Sequence, residues 1–153
     1  MTDNQLNNGN EVNNSAAPSF VMRGQYVKDL SFENPNAPAS LMDLKEMPKV
    51  DVNVDLNVAA LQPDTFEVTL RFTVKASTEN VLFAVDLAYA GVFSLQNIPE
   101  DKIEQVLLVD GAFMLFPFAR RVVADVTRDG GFPPLLLEPI DFFGLYMQKK
   151  QAN

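Results

Sequence analysis

The chain has 153 residues and a net charge of −8, from 12 basic and 20 acidic side chains, with no cysteine, histidine or tryptophan. That composition excludes Cys and His nucleophiles, His general bases, Cys/His metal sites and any disulfide framework. The negative field disfavours phosphate backbones and anionic bilayers as partners, so no nucleic acid and no direct membrane insertion are expected. With 47% hydrophobic residues, a chain this long forms one domain with a real core.

Residues 1–18 are rich in asparagine, poor in apolar groups and without Lys or Arg. They read as a disordered leader, and neither the basic nor the apolar part of a signal peptide is visible. A single domain over residues 19–150 and a flexible C-terminus at 151–153 are expected. Phe20 to Phe32 reads as a first strand, with Phe20, Met22, Tyr26, Leu30 and Phe32 on one face and Arg23, Gln25, Asp29, Ser31 and Glu33 on the other. Asn34-Pro35-Asn36-Ala37-Pro38 ends it. A crossing loop then runs to about Pro48 and carries Leu41, Met42, Leu44 and Met47.

Val50 to Val58 alternates valine and leucine with Asp51, Asn53, Asp55 and Asn57, the cleanest strand in the chain. Asp51-Val52-Asn53-Val54-Asp55 also mimics the start of a calcium loop. Leu56 stands where such a loop needs glycine and Gln62 where it needs glutamate, so the strand reading holds. Gln62-Pro63-Asp64 turns the chain into a third strand, Phe66 to Val74, and Ser77 to Asn80 turns it into a fourth, Val81 to Val92. Val81, Phe83, Val85, Leu87 and Tyr89 make the larger face of that strand. Leu82, Ala84, Asp86, Ala88 and Ala90 make the smaller one. Short turns set strands two to four in an antiparallel meander.

A helix starts near Pro99, with Glu100 and Asp101 in its first turn. It should break or kink at either Asp110-Gly111 or Pro117. Leu115, Phe118, Ala119, Val122 and Val126 fall on one stripe, and Phe113, Met114, Phe116 and Val123 leave little of the surface polar. One subunit has few elements to cover such a helix, so a second subunit is the natural cover. Asp129-Gly130-Gly131 stops it. Phe132 to Pro139 holds three prolines and is an extended apolar arm. Asp141 caps a last short helix, with Ile140 and Leu145 at the staple positions. Strands first and helices last make the fold class α+β: a four-stranded antiparallel sheet, with a crossover loop after strand 1 and then a meander, a long kinked helix and a short C-terminal helix.

Three stretches, in order, carry a resemblance to the SecB family of protein-export chaperones. They are Tyr26-Val27-Lys28-Asp29-Leu30-Ser31-Phe32-Glu33-Asn34-Pro35, then Gly91-Val92-Phe93-Ser94, then Leu115-Phe116-Pro117-Phe118-Ala119-Arg120 with Gly131-Phe132-Pro133 and Pro139-Ile140-Asp141-Phe142. The resemblance covers residues 20–150. It implies a cytoplasmic, ATP-independent holdase, assembled as a homotetramer (a dimer of dimers). Such a protein holds unfolded precursor proteins and delivers them to the SecA motor, whose zinc-bearing C-terminal tail docks on it. No enzyme activity, cofactor or metal is implied. This chain departs from the family in lacking the tryptophan often found in the crossing loop, where Leu44 and Met47 stand, and the cysteines of many members. Its Asn-rich leader is also longer.

Three candidate surfaces follow. Leu41, Met42, Leu44, Met47, Phe132, Leu135, Leu137, Phe142, Phe143, Tyr146 and Met147 form an apolar client-binding surface, its methionines suited to repacking around many partners. Asp29 and Glu33 point the same way on one strand, about 13 Å apart. With Asp86 they form an acidic patch, and the resemblance implies that acidic residues at these positions dock the motor tail. Val85, Leu87, Tyr89, Leu115, Phe118 and Val122 form the expected oligomer interface. The competing reading is a non-chaperone oligomeric adaptor that binds one folded partner through the same arm.

Overall fold

A computed structural model of the protein describes residues 16–42 and 46–152. Leu44, and the part of the leader before Ala16, lie outside the described residues. Four antiparallel strands form one sheet: β1 (Ser19–Glu33), β2 (Lys49–Gln62), β3 (Thr65–Ser77) and β4 (Val81–Gln96), in the order β1-β4-β3-β2. The segment between β1 and β2 therefore crosses the sheet from one edge to the other, about 14 Å at the usual strand spacing.

The alternation in β2, β3 and β4 gives the sheet one apolar face. Val52, Val54 and Leu56 stand opposite Val74, Phe72 and Leu70, which in turn face Val85, Leu87 and Tyr89. β1 differs from its simple alternating reading. Register shifts between Met22 and Gly24 and between Val27 and Asp29 each insert one residue and reverse the sides. Gln25 pairs with Gly91 and shares the apolar face, whereas Tyr26 pairs with Ala90 and stands on the opposite one. Bulges of this kind leave no mark in a period-two pattern.

The helices cover the apolar face. A continuous helical run comprises α1 (Glu100–Gln105), a π-helical turn (Val106–Gly111) and α2 (Ala112–Asp129). The irregularity thus falls at Asp110-Gly111, and Pro117 is carried within α2. Proline frees the carbonyl of Phe113 four residues back, and both residues lie on the exposed side, where water can satisfy it. Ala112, Leu115, Ala119, Val123, Ala124 and Thr127 form the buried stripe. It is rotated from the expected one: Phe118 points outward. A Cβ on Gly91 would come within 2.8 Å of Leu115 Cδ2, so the helix rests directly on the β4 backbone there.

At the end of α2, Gly131 takes φ +92, a backbone only glycine adopts without strain. The arm follows, and then α3 (Phe142–Gln151), whose N-cap Asp141 accepts a hydrogen bond from the Gly144 N–H at 3.0 Å. Buried Phe142 and Tyr146 seat α3 on the core. Phe142 meets Phe116 edge-on at 5.9 Å, and Phe116 meets Phe72 of the sheet at 6.1 Å.

Candidate functional site: an apolar groove along the edge of β2

Thr127 ties the first half of the arm to α2. Thr127 is fully buried. Its hydroxyl donates to the Val123 and Ala124 carbonyls (2.9 and 3.0 Å) and accepts from the Leu135 N–H at 3.0 Å. The Thr127 carbonyl accepts from the Phe132 N–H at 3.1 Å. Phe132 then drops onto Phe83, with ring centroids 4.9 Å apart, and Phe83 stacks on Phe32 of β1. Leu137 is buried as well, while Leu136 between these anchors is 60% exposed.

With both ends held, the arm runs beside β2 and leaves a groove between them. It is a chain of three depressions. Met47, Pro48, Val50, Ala76, Leu82, Phe83 and Phe132 to Leu135 line the first. Val50, Val52, Val54 and Leu135 to Ile140 line the second. Val52, Val54, Ile140, Asp141, Leu145 and Gln148 line the third. Each shares residues with the next, so one furrow runs from the crossing segment to α3. Val50 and Val52 remain 38% and 41% exposed in it.

The structure sorts the expected client-binding residues. Met42 and Met47 are 80% and 94% exposed, and Leu41 lies over Gly131. Leu135 lines the groove, with Phe132 and Leu137 at its floor. Phe143 is half exposed and Met147 half buried, both on α3. Phe142 and Tyr146 are corrected: they belong to the core and offer no open surface. The groove wall of Val50, Val52 and Val54 was missed. Its signal, the valine alternation, is the same one that marks a core strand, and only the edge position of β2 separates the two.

The acidic patch lies on the other face of the sheet. Asp29 pairs with Ala88, Ser31 with Asp86 and Glu33 with Ala84, so Asp86 sits between the two β1 carboxylates on the adjacent strand. Asp86 already has a partner, since Arg71 Nη1 of β3 lies 3.1 Å from its carboxylate. Nearby, Glu67 accepts from Lys28 Nζ at 2.6 Å and from the Tyr26 hydroxyl. The lysine first and the phenol second hold the Glu67 carboxyl below its ordinary range. Donation to Glu67, then burial, pushes the Tyr26 hydroxyl up to about 12.

The expected oligomer interface divides. Val85, Leu87, Tyr89 and Leu115 are buried within the single chain, where α2 covers the β4 face. The correction follows from topology: strand and helix, both read as uncovered, cover each other. Phe118 stays partly exposed and Val122 half buried. Beside them Phe113 is 70% exposed and Met114 is also open, which leaves α2 an apolar outer face. No described helix is long and apolar enough to cross a membrane.

The family model described as "Preprotein translocase subunit SecB" matches residues 13–153. A protein-export protein SecB of Parvibaculum lavamentivorans is 48% identical, covering 99% of this chain and 93% of that protein. One from Azorhizobium caulinodans is 46% identical, covering 95% and 91%. Among solved structures, a Mycobacterium tuberculosis SecB-like chaperone in complex with a ChAD peptide from the HigA1 antitoxin is similar with a TM-score of 0.67. It is 20% identical, and the match covers 79% of this chain and 90% of that one.

Proposed function

The chain belongs to the SecB family and is a chaperone of protein export; from that premise we propose that it holds unfolded precursors in the groove between β2 and the arm. One observation carries this: a continuous apolar furrow whose walls, Val50 to Val54 and Leu135 to Leu137, are fixed in place while Leu136 and Met47 stay open. Covering roughly 400 Å² of client surface contributes on the order of 10 kcal/mol before ordering costs, much of which association takes back. The result is reversible holding by mass action, which needs no ATP and no chemistry of the protein's own. The protein acts in the cytoplasm.

Delivery is assigned to the opposite sheet face. Asp29, Glu33 and Asp86 receive the basic, zinc-bearing tail of the SecA motor, each contact contributing about 0.2 to 1 kcal/mol because it stays solvated. Copies related by symmetry add affinity through effective concentration. The assembly is a homotetramer, its contacts supplied by the outer face of α2 with Phe113, Met114, Phe118 and Val122.

The test is suppression of aggregation of several unrelated urea-denatured proteins. Met47→Ser with Leu136→Ser weakens holding of all of them and leaves the oligomer intact. Unchanged holding removes the groove from the mechanism. Binding of one native protein only would favour the adaptor reading instead.

A further inference from the structure

The chain has no cysteine, so its six methionines hold all of its sulfur. Their placement is uneven. Met1 lies outside the described residues, and none of the described methionines belongs to the buried core. Met22 and Met147 are half buried and pack against the core from outside. Met114 is 36% exposed on the outer face of α2. Met42 and Met47, at 80% and 94%, are the most exposed large apolar side chains among the described residues. Both stand at the head of the groove. Met47 lines its first depression together with Pro48, Val50 and Phe132 to Leu135. Met42 follows a 3-10 turn (Ala39–Leu41), and its N–H donates to the Ala39 carbonyl at 3.1 Å. The adjacent Leu41 lies over Gly131, where the arm begins.

In a protein without thiols, a water-exposed thioether is the side chain that a two-electron oxidant such as hydrogen peroxide attacks first. The sulfur lone pair takes one peroxide oxygen. The O–O bond breaks, an S–O bond forms, and the other oxygen leaves as water with both protons. Sulfur is oxidised by two electrons and the peroxide is reduced by two. We propose that Met42 and Met47 are sites of reversible sulfoxidation, and that their sulfoxides lower the affinity of the groove for unfolded clients. This deepens the groove reading and rests on it. Reversal belongs to a dithiol-dependent sulfoxide reductase: the oxygen leaves as water and the two thiols become a disulfide.

The placement makes this a switch of binding and not a lesion of the fold. A sulfoxide oxygen is a hydrogen-bond acceptor that water holds, and a client's apolar surface must strip that water to cover it. The side chain also loses the soft apolar tip that lets methionine repack around different partners. The described core contains no methionine, so the same chemistry leaves the packing of sheet and helices untouched. Leu136 and the wall from Val50 to Val54 stay apolar, so holding is turned down and not abolished. The expected loss of affinity is about threefold to tenfold.

The experiment treats the full-length protein with hydrogen peroxide, removes the excess with catalase, and locates added oxygen by peptide mass spectrometry. Affinity is then measured for a permanently unfolded probe, reduced and carboxymethylated lysozyme. The expected result is one added oxygen at Met42 and at Met47 before any at Met22, Met114 or Met147. Affinity falls with it, the urea midpoint is unchanged, and sulfoxide reductase with dithiothreitol restores binding. The double variant Met42→Leu with Met47→Leu, compared with itself before and after peroxide, loses no affinity. An equal loss in the double variant overturns the proposal, as does earlier oxidation of the other methionines. Oxidation at Met42 and Met47 without loss of affinity overturns it too, and Leu136→Ser in untreated protein then separates the causes. If Leu136→Ser weakens holding, the switch alone falls and the groove stands. If it does not, both fall.

Discussion

Thr127→Val is a near-isosteric change that tests whether this residue holds the first half of the arm. The substitution keeps the buried volume and removes the acceptor of the Leu135 N–H, 3.0 Å away. It also removes a donor to Val123 and Ala124, whose carbonyls keep their helical partners. The cost is therefore one unsatisfied amide. A fully buried orphan costs about 1 to 3 kcal/mol. Leu135 is only half buried and water reaches it once the arm lifts, so the expected cost is about 1 kcal/mol, roughly fivefold in the opening equilibrium. Urea denaturation should show the same loss, about 1 kcal/mol, at an unchanged slope. Amide exchange at Leu135 should quicken about fivefold, and client holding should weaken with it. Thr127→Ser, which keeps the hydroxyl, should retain the Leu135 protection despite losing a methyl group. Equal exchange at Leu135 in Thr127→Val and the parent would refute the pin.

Gly130→Ala should lower the melting temperature, since its Cβ would lie 2.2 Å from Phe32 Cζ and a stacked ring cannot give way cheaply; overpacking of this kind costs about 1 to 3 kcal/mol. Asp141→Ala removes the cap of α3 and should cost about 1 kcal/mol, read as faster exchange at Gly144 with the sheet unaffected. The Tyr26–Glu67 pair gives stability a defined pH dependence. The folded Tyr26 hydroxyl titrates above its ordinary value of 10.0, at about 12. Its contribution is complete below 10 and is lost as pH rises toward 12. Glu67, depressed from 4.5, contributes above its ordinary value and loses that contribution as pH falls through the folded one. Urea midpoints measured against pH should show both losses, and Tyr26→Phe should remove the alkaline one. Asp29→Lys, Glu33→Lys and Asp86→Lys should each weaken binding of a basic peptide in calorimetry at low salt, with client holding unchanged. A loss of both together would detach the acidic face from delivery.

The strands, the arm and the cap at Asp141 were legible because each rests on a local cause: alternation, proline, a short carboxylate before an apolar run. The face of Tyr26 was not, because two bulges in β1 come from pairing with β4 and leave the sequence of β1 unremarkable. The interface at Val85, Leu87 and Leu115 was misplaced for a related reason. An apolar strand face and an apolar helix stripe each announce that something must cover them, and neither says that they cover each other. The groove was legible in its arm and invisible in its other wall, since a valine at a sheet edge has the same spacing as a valine in the core. Thr127 carried no signal, because a lone threonine in a helix is ordinary until the chain beyond it folds back.

Site-specific photo-crosslinking tests the central claim most directly. A photoreactive residue is placed at Leu136, in the groove, or at Lys75, on the exposed far face of the sheet, and the protein is mixed with a urea-denatured precursor diluted into buffer. The account predicts strong crosslinks from Leu136, none from Lys75, and none from either position when the same protein is added in its native form. Crosslinks from Lys75 equal to those from Leu136 would contradict it.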